Sequence, residues 1–301
     1  MILVTGISGA LGGLIFEGLR AVDGLDVVGG TRAGGTARRI DFEDPASLTE
    51  GLAGVDVLVF VSAGYAEDDV VLARHGAAVD AAARAGVKHV IYTSLAGSGD
   101  LMTIALPHRW TESRLAAAPF DVTVLRNGLY AEVPVGLAAA GAANAAETGV
   151  FAAALGEGRV SVVARQDLAD VAVRVAAEVE RDLAADGRSR HAGQVYELEG
   201  VTAIGGREIA EVLTEALGRQ VAYHDVPLFD MRAALAGSGL EPYQVTHTIS
   251  LFSNAKAGLL EAGSSDLEAL LATEPRPVME AVVEAAKAGY RSQSVTAVRG
   301  G

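Results

Sequence analysis

The chain has no cysteine in its 301 residues. Disulfides, thiolate nucleophiles and thiolate metal sites are therefore excluded. Positive charge is scarce: 24 Lys and Arg stand against 38 Asp and Glu, a net −14. Nucleic acid and anionic membrane both call for a basic surface, so neither is expected as a partner. No apolar run reaches the roughly eighteen residues of a membrane span. An apolar strand begins at Ile2, which leaves no room for a signal peptide, so a cytoplasmic location is expected. The six histidines show no His-x-x-x-His spacing, and no metal is expected. Lysine is missing altogether between Lys88 and Lys256.

Half the residues are apolar and 21% are charged, so a sizeable core can be buried. The most informative stretch is the first thirteen residues. Ile2, Leu3 and Val4 suit one buried parallel strand, which stops at Gly6. Gly6, Gly9 and Gly12 follow at three-residue spacing, with Ile7, Ser8, Ala10 and Leu11 between them. A helical pattern then runs through Leu14, Ile15 and Leu19. Strand, glycine turn and helix together form a cradle for a dinucleotide pyrophosphate. Glycine allows close backbone approach, and the helix start offers free N–H groups to the anion. The competing reading is a tight turn that needs glycine only for packing.

Strands are expected at Leu25–Thr31, Arg38–Phe42, Val55–Val61, His89–Thr93 and Asp121–Arg126. Helices are expected at Asp44–Leu52, Glu67–Ala85 and Pro107–Ala118. Asp44 is placed to cap the first of these, with Pro45 at its first position. The alternation implies an α/β fold: a Rossmann-like, doubly wound parallel sheet. Past Arg126 the rhythm loosens. Short strands are expected near 149–151, 159–163, 194–198 and 220–224, with helices at 166–180, 207–217, 228–236, 243–257 and 277–288. The division drawn is 1–130 for the dinucleotide-binding domain and 131–291 for a small mixed α/β lobe over the carboxyl edge, with segments returning to the sheet. Residues 292–301 read as a mobile tail.

Ligands of such a sheet bind at the carboxyl ends of its strands. Arg32 ends the second strand, where an acid would select NAD; a guanidinium suits a 2′-phosphate and points to NADPH. Arg38 and Arg39 are placed to share that role. Asp41 can accept from the adenine amino group, with Phe42 near the ring. Ser62 and Ala63 leave the fourth strand and let the cofactor pass close. Thr93, Ser94 and Leu95 leave the fifth, beside the expected nicotinamide. Asn127 and Tyr130 follow the sixth and can hydrogen-bond or wall a substrate.

In the short-chain dehydrogenase pattern a Tyr-x-x-x-Lys on the next helix supplies proton and charge. Here His108 and Glu112 occupy that spacing. His108 is the candidate donor, and Glu112 is expected to bond Thr111 or the backbone. Without the dyad the substrate should need little acid catalysis, as a quinone or other conjugated acceptor does.

Four segments carry a resemblance: Val4–Gly12, Ala85–Leu95, Leu125–Tyr130 and Val195–Leu198. Over roughly residues 1–235 the chain resembles the NmrA-like atypical short-chain dehydrogenases, among them the type-2 NAD(P)H:quinone oxidoreductases and triphenylmethane reductases. The resemblance implies NADPH along Gly6–Leu11, Arg32, Ser62, Ala63 and Thr93–Leu95. It places His108, Asn127 and Tyr130 at the substrate and Gln166–Asp170 in the lobe. Two features depart from it: only seven residues separate Arg32 from Ile40, where a short helix is usual, and the tip Ser98–Leu106 is idiosyncratic. The expected activity is hydride transfer from NADPH to a conjugated acceptor. The alternative is a non-catalytic NADP(H) sensor. Partners expected are a small conjugated molecule and, as an open option, a second copy in a homodimer.

Overall fold

A computed structural model describes residues 1–62, 66–185 and 187–288. Ala63 and the tail from 292 lie outside the described residues. The first half runs β1 (Ile2–Val4), α1 (Ala10–Arg20), β2 (Val27–Thr31), β3 (Arg38–Arg39), α2 (Pro45–Gly51), β4 (Val57–Val61), α3 (Asp68–Ala85), β5 (His89–Leu95), α4 (Ala105–Ala116) and β6 (Asp121–Asn127). The second half adds β7 (Leu129–Tyr130), α5 (Glu132–Thr148), β8 (Val150–Ala153), β9 (Arg159–Val163), α6 (Arg165–Ala184), β10 (Val195–Leu198) and β11 (Thr202–Gly205). After these come α7 (Gly206–Leu217), β12 (Ala222–Asp225), α8 (Leu228–Ala236), α9 (Pro242–Lys256), α10 (Leu267–Leu270) and a helical segment at 279–288.

Seven strands form one parallel sheet in the order β10-β6-β5-β4-β1-β2-β3. This is the Rossmann-like α/β sheet the alternation implies. The chain steps outward from β1 to β3, then crosses back to β4 on the other side. The strand order therefore reverses between β1 and β4, and a crevice opens beyond their carboxyl ends.

The three residues of β1 are fully buried because both faces of the sheet are covered. Ile2 and Val4 pack with α1 and α6 on one face. Leu3 points the other way, into the core beneath α2 and α3. Asp44 caps α2 as its sequence position suggests, accepting from Ala46 N at 3.0 Å and Ser47 N at 3.4 Å.

The placement of Gln166–Asp170 in the lobe is corrected. They open α6, whose Leu168, Val171, Val175 and Val179 share a core with Ile2, Val4, Val57 and Ile91. The main sheet thus takes α6 and its edge strand β10 from beyond residue 130. A separate core joins α5, β8, α7 and the 279–288 segment to Met102 and Ala105. Two small sheets, β11-β9-β7 and β12-β8, brace that part. Among the described residues no helix is long and apolar enough to cross a membrane.

Candidate active site

The glycine turn is built by contact as well as by conformation. Gly6 has φ 64°, the left-handed region, and its carbonyl accepts from Gly9 N at 2.9 Å. That same carbonyl fills the space beside Gly12: a Cβ there would lie 2.3 Å from Gly6 O and 2.9 Å from Thr5 O. The α1 N-cap, Gly9, has no side chain to bond the first N–H groups, and the first turn has no acid. Those donors stay available for an anion. Thr5, which the sequence reading passed over, fixes the turn to β4: Val61 N donates to Thr5 Oγ1 at 2.9 Å, and that hydroxyl donates to Val61 O at 3.3 Å.

The arginines after β2 separate into different roles. Arg32 is exposed and has no hydrogen bond or ion pair among the described residues. Arg38 is turned inward, donating to Gly51 O at 2.9 Å and Ala53 O at 2.8 Å. It braces the end of α2 and cannot share a phosphate, which corrects that expectation. Arg39 pairs with Asp44. Asp41 accepts from Glu43 N at 3.1 Å, and its backbone exchanges hydrogen bonds with the Ser47 hydroxyl. Phe42 packs edge-on against Phe60, with ring centroids 5.5 Å apart. Asp41 and Phe42 thus already have intramolecular partners.

The strand β5 and the helix α4 meet in matched steps. Two residues along a strand and four along a helix each advance about 6 Å. Tyr92 therefore meets His108 (Oη to Nδ1, 2.9 Å) and Ser94 meets Glu112 (Oγ to Oε1, 2.5 Å). Glu112 is not bonded to Thr111 or the backbone as expected. Its carboxylate also accepts from Arg109 at 2.8 Å and from Arg126 at 2.7 and 3.1 Å. Arg126 continues to Glu197 at 2.8 Å, tying β6 to β10. Burial pushes the Glu112 pKa up, but the bonds from Arg126 and Ser94 and the two guanidinium charges outweigh it, and the net shift is down. Thr111 instead donates to Pro107 O at 2.7 Å and sits 2.7 Å from His75 Nδ1.

At the carboxyl edge lies a cavity of about 620 Å³, bounded by Leu11, Ser62, the ends of β5 and β6, α4, α5 and α9. It brings together Thr93, Ser94, Leu95, His108, Asn127 and Tyr130. Its other walls are largely apolar: Val71, Met102, Ile104, Val133, Leu137 and Phe252 among them. The tip after β5 is held over it by α9. Thr103 N donates to Ser250 Oγ at 2.9 Å, and the Thr103 hydroxyl lies 2.7 Å from His247 Nδ1. Arg32, Asp41 and Phe42 do not line this cavity. Neither do the glycines of the turn, although Leu11 does.

Two polar groups at the cavity lack partners among the described residues. Asn127 is 4% exposed, and its Oδ1 is buried without a hydrogen bond. His108 uses Nδ1 on Tyr92, and its Nε2 has no partner among the described residues. Burial, then the neighbouring Arg109 charge, lowers the His108 pKa to about 4, so the ring is neutral near pH 7. Burial also raises Tyr130, with the Asn127 side chain and the Arg165 guanidinium pulling back. That guanidinium stands 4.9 Å from the Tyr130 ring centre. Ser62 N donates to Thr93 Oγ1 at 3.1 Å, which closes the floor between β4 and β5.

The profile of the NAD(P)H-binding family matches residues 8–179, from the glycine turn into α6. The chain belongs to that family. Solved structures superpose over nearly all of this NAD(P)H-binding chain. Quinone oxidoreductase 2 of Escherichia coli is 35% identical over 252 residues, covering 80% of this chain and 82% of the relative. The structure of the E. coli NADPH-dependent quinone oxidoreductase with NADPH superposes with a TM-score of 0.81 at 32% identity, covering 94% and 99% of the two chains. Triphenylmethane reductase of Citrobacter sp. with NADP(H) gives 0.80 at 27% identity, with the same coverage. The family resemblance drawn from the sequence is thereby established, and with it the NAD(P)H cofactor. The tight glycine cradle and the uncapped α1 are the features of this chain that suit the cofactor.

Proposed function

We propose that the protein is an NADPH-dependent oxidoreductase that reduces a quinone or a similar flat, conjugated acceptor. The observation that carries this reading is the apolar cavity at the sheet's carboxyl edge, where Asn127 Oδ1 is buried without a hydrogen bond and His108 Nε2 has no partner among the described residues. Bound NADPH would supply the hydride. The turn Gly6–Gly12 would hold its pyrophosphate and Arg32 its 2′-phosphate. Asn127 Oδ1 would accept from an amide N–H of the nicotinamide or from the substrate. Met102, Ile104, Val133 and Leu137 would cover a flat ring and exclude water.

His108 sets the acceptor's chemistry. As a neutral imidazole it can hydrogen-bond an oxygen, but it carries no ready acidic proton at pH 7. A simple ketone becomes a strongly basic alkoxide on reduction and needs such a proton. A quinone gives a delocalised anion, for which a hydrogen bond suffices until solvent protonates it. The likeness to proteins named quinone oxidoreductase and triphenylmethane reductase supports the same substrate class.

Stopped-flow absorbance of NADPH, with benzoquinones, naphthoquinones and simple ketones as acceptors, tests the reading. Oxidation with quinones and none with ketones is expected. Tight NADPH binding without oxidation by any acceptor overturns it.

A further inference from the structure

Tyr92 is fully buried and has no place in the reaction described so far. Its ring is wedged between Phe60, with centroids 5.2 Å apart, and His75, at 5.9 Å. It therefore cannot swing away from α4. Its hydroxyl lies 2.9 Å from His108 Nδ1, and the hydroxyls of Ser62 and Thr111 stand beside it. The phenol has one proton to give, and His108 Nδ1 is within reach.

We propose that Tyr92 is a positioning residue whose hydroxyl donates to His108 Nδ1 and so holds the ring with its Nε2 proton facing the cavity. This rests on the acceptor-reducing function above and deepens it. A neutral imidazole has two tautomers, and the hydrogen bond at one nitrogen decides which proton the other carries. With Tyr92 donating, Nδ1 is the acceptor and Nε2–H is left over. Nε2 has no protein partner among the described residues, so its proton is free for a ligand oxygen. The opposite tautomer would present a lone pair there, which repels a carbonyl or phenolate oxygen. The same bond stops the ring from turning over, an exchange that would put carbon where the donor belongs. The ligand class selected is an oxygen acceptor that gains negative charge, as a quinone oxygen does on reduction.

The matched β5–α4 spacing makes this arrangement local. Tyr92 and His108 meet one step before Ser94 and Glu112, and the Glu112 ion pairs anchor that register. Loss of the Tyr92 hydroxyl alone leaves the anchor in place.

The test is Tyr92→Phe in the full-length protein, which keeps the ring and removes only the hydroxyl. The first readout is the ¹⁵N NMR signature of His108 with and without NADP⁺. The wild type is expected to show a protonated Nε2 and a bare Nδ1, and the variant a mixture or exchange between ring orientations. The second readout is quinone turnover. A fall in kcat of about 10-fold, with KM within about twofold, is expected for a misaligned donor. The third is Tyr92→Phe added to His108→Gln, whose amide donates without help from Tyr92; little further loss of kcat is expected. A wild-type His108 protonated at Nδ1 overturns the proposal, as does a Tyr92→Phe variant with an unaltered ¹⁵N signature. If no acceptor is reduced, the functional reading fails separately, because the tautomer is measured without turnover.

Discussion

Ser94 Oγ donates to Glu112 Oε1 at 2.5 Å, and Glu112 is gripped on its other sides by Arg109 and Arg126. A serine at the end of β5 could have faced a substrate. Here its proton is committed to a carboxylate on α4. Glu112 is the hub that joins β5, β6, α4 and, through Arg126, β10.

Glu112→Ala should therefore cost stability. The side chain is 13% exposed, and its loss leaves Arg109 and Arg126 facing the same gap. A destabilisation of about 2–3 kcal/mol is expected, toward the low end for broken buried pairs because both arginines reach solvent. Glu157→Ala removes the fully exposed pair with Arg207 and should leave the denaturation midpoint where it was. Urea titrations of the two variants decide. The Glu112 pKa is depressed, so its contribution is full above the ordinary carboxylate range and fades as pH falls through and below it.

Arg32→Ala and Arg38→Ala should part company. Arg32 has no intramolecular partner among the described residues, so its loss should weaken NADPH binding by about 10- to 100-fold and leave NADH unchanged. Arg38 holds the end of α2, so its loss should lower the melting temperature and leave the NADPH-to-NADH ratio alone. Calorimetric titration with both cofactors, beside thermal melts, checks this. An unchanged ratio in Arg32→Ala removes Arg32 from the phosphate.

Gly12→Ala tests the turn. Its Cβ would meet backbone, 2.3 Å from Gly6 O, and backbone cannot swing aside as a side chain can. NADPH affinity is expected to fall at least 100-fold, with a lower melting temperature. Fluorescence titration with NADPH supplies the measurement, and near-normal affinity would contradict the geometry.

Acid should unfold the protein through three histidines held below their ordinary range, His75 and His89 in the core and His108 at the cavity. Burial lowers His75 to about 3 and His89 and His108 to about 4, against an ordinary value of 6.5. The unfolded chain then binds more protons than the folded one between about pH 6.5 and 4. Stability is flat in this respect above pH 7 and falls as pH drops through that window. The slope is about 1.4 kcal/mol per pH unit for each histidine near pH 5. Urea unfolding at several pH values gives it. His89→Gln, which removes one of the three, should cut the histidine part of the slope by about a third.

Much of this was legible in one dimension. The β1 triplet and its glycines mark a strand, a turn and a helix because every cause is local. Asp44-Pro45 announces α2 for the same reason. What stayed hidden depends on alignment across the sheet. Arg32 and Arg38 are both arginines near the end of β2, and only the position of α2 separates a free guanidinium from a brace. Nothing in the sequence marks Tyr92 within β5, because its partner is set by the facing helix. The short β7, β11 and α10 carry too few residues for a period to show. β7 and β11 exist because β9 is there to receive them, and α10 because α6 and β10 are. Asn127 and Tyr130 at the cavity followed from the rule that ligands sit at strand ends, and His108 from the Tyr-x-x-x-Lys spacing on the next helix. Their partners did not.

The Glu112 hub also limits what this scaffold can become. Converting His108 and Glu112 to tyrosine and lysine would write the dehydrogenase dyad into α4 with two substitutions. The lysine, however, would arrive between Arg109 and Arg126, in place of the one anion that both share. Three cations would crowd the junction of four elements, and Ser94 would lose its acceptor. A change toward that dyad must first rebuild the charges on β6 and α4, so the neutral histidine is protected by a network whose charged members lie outside the cavity lining.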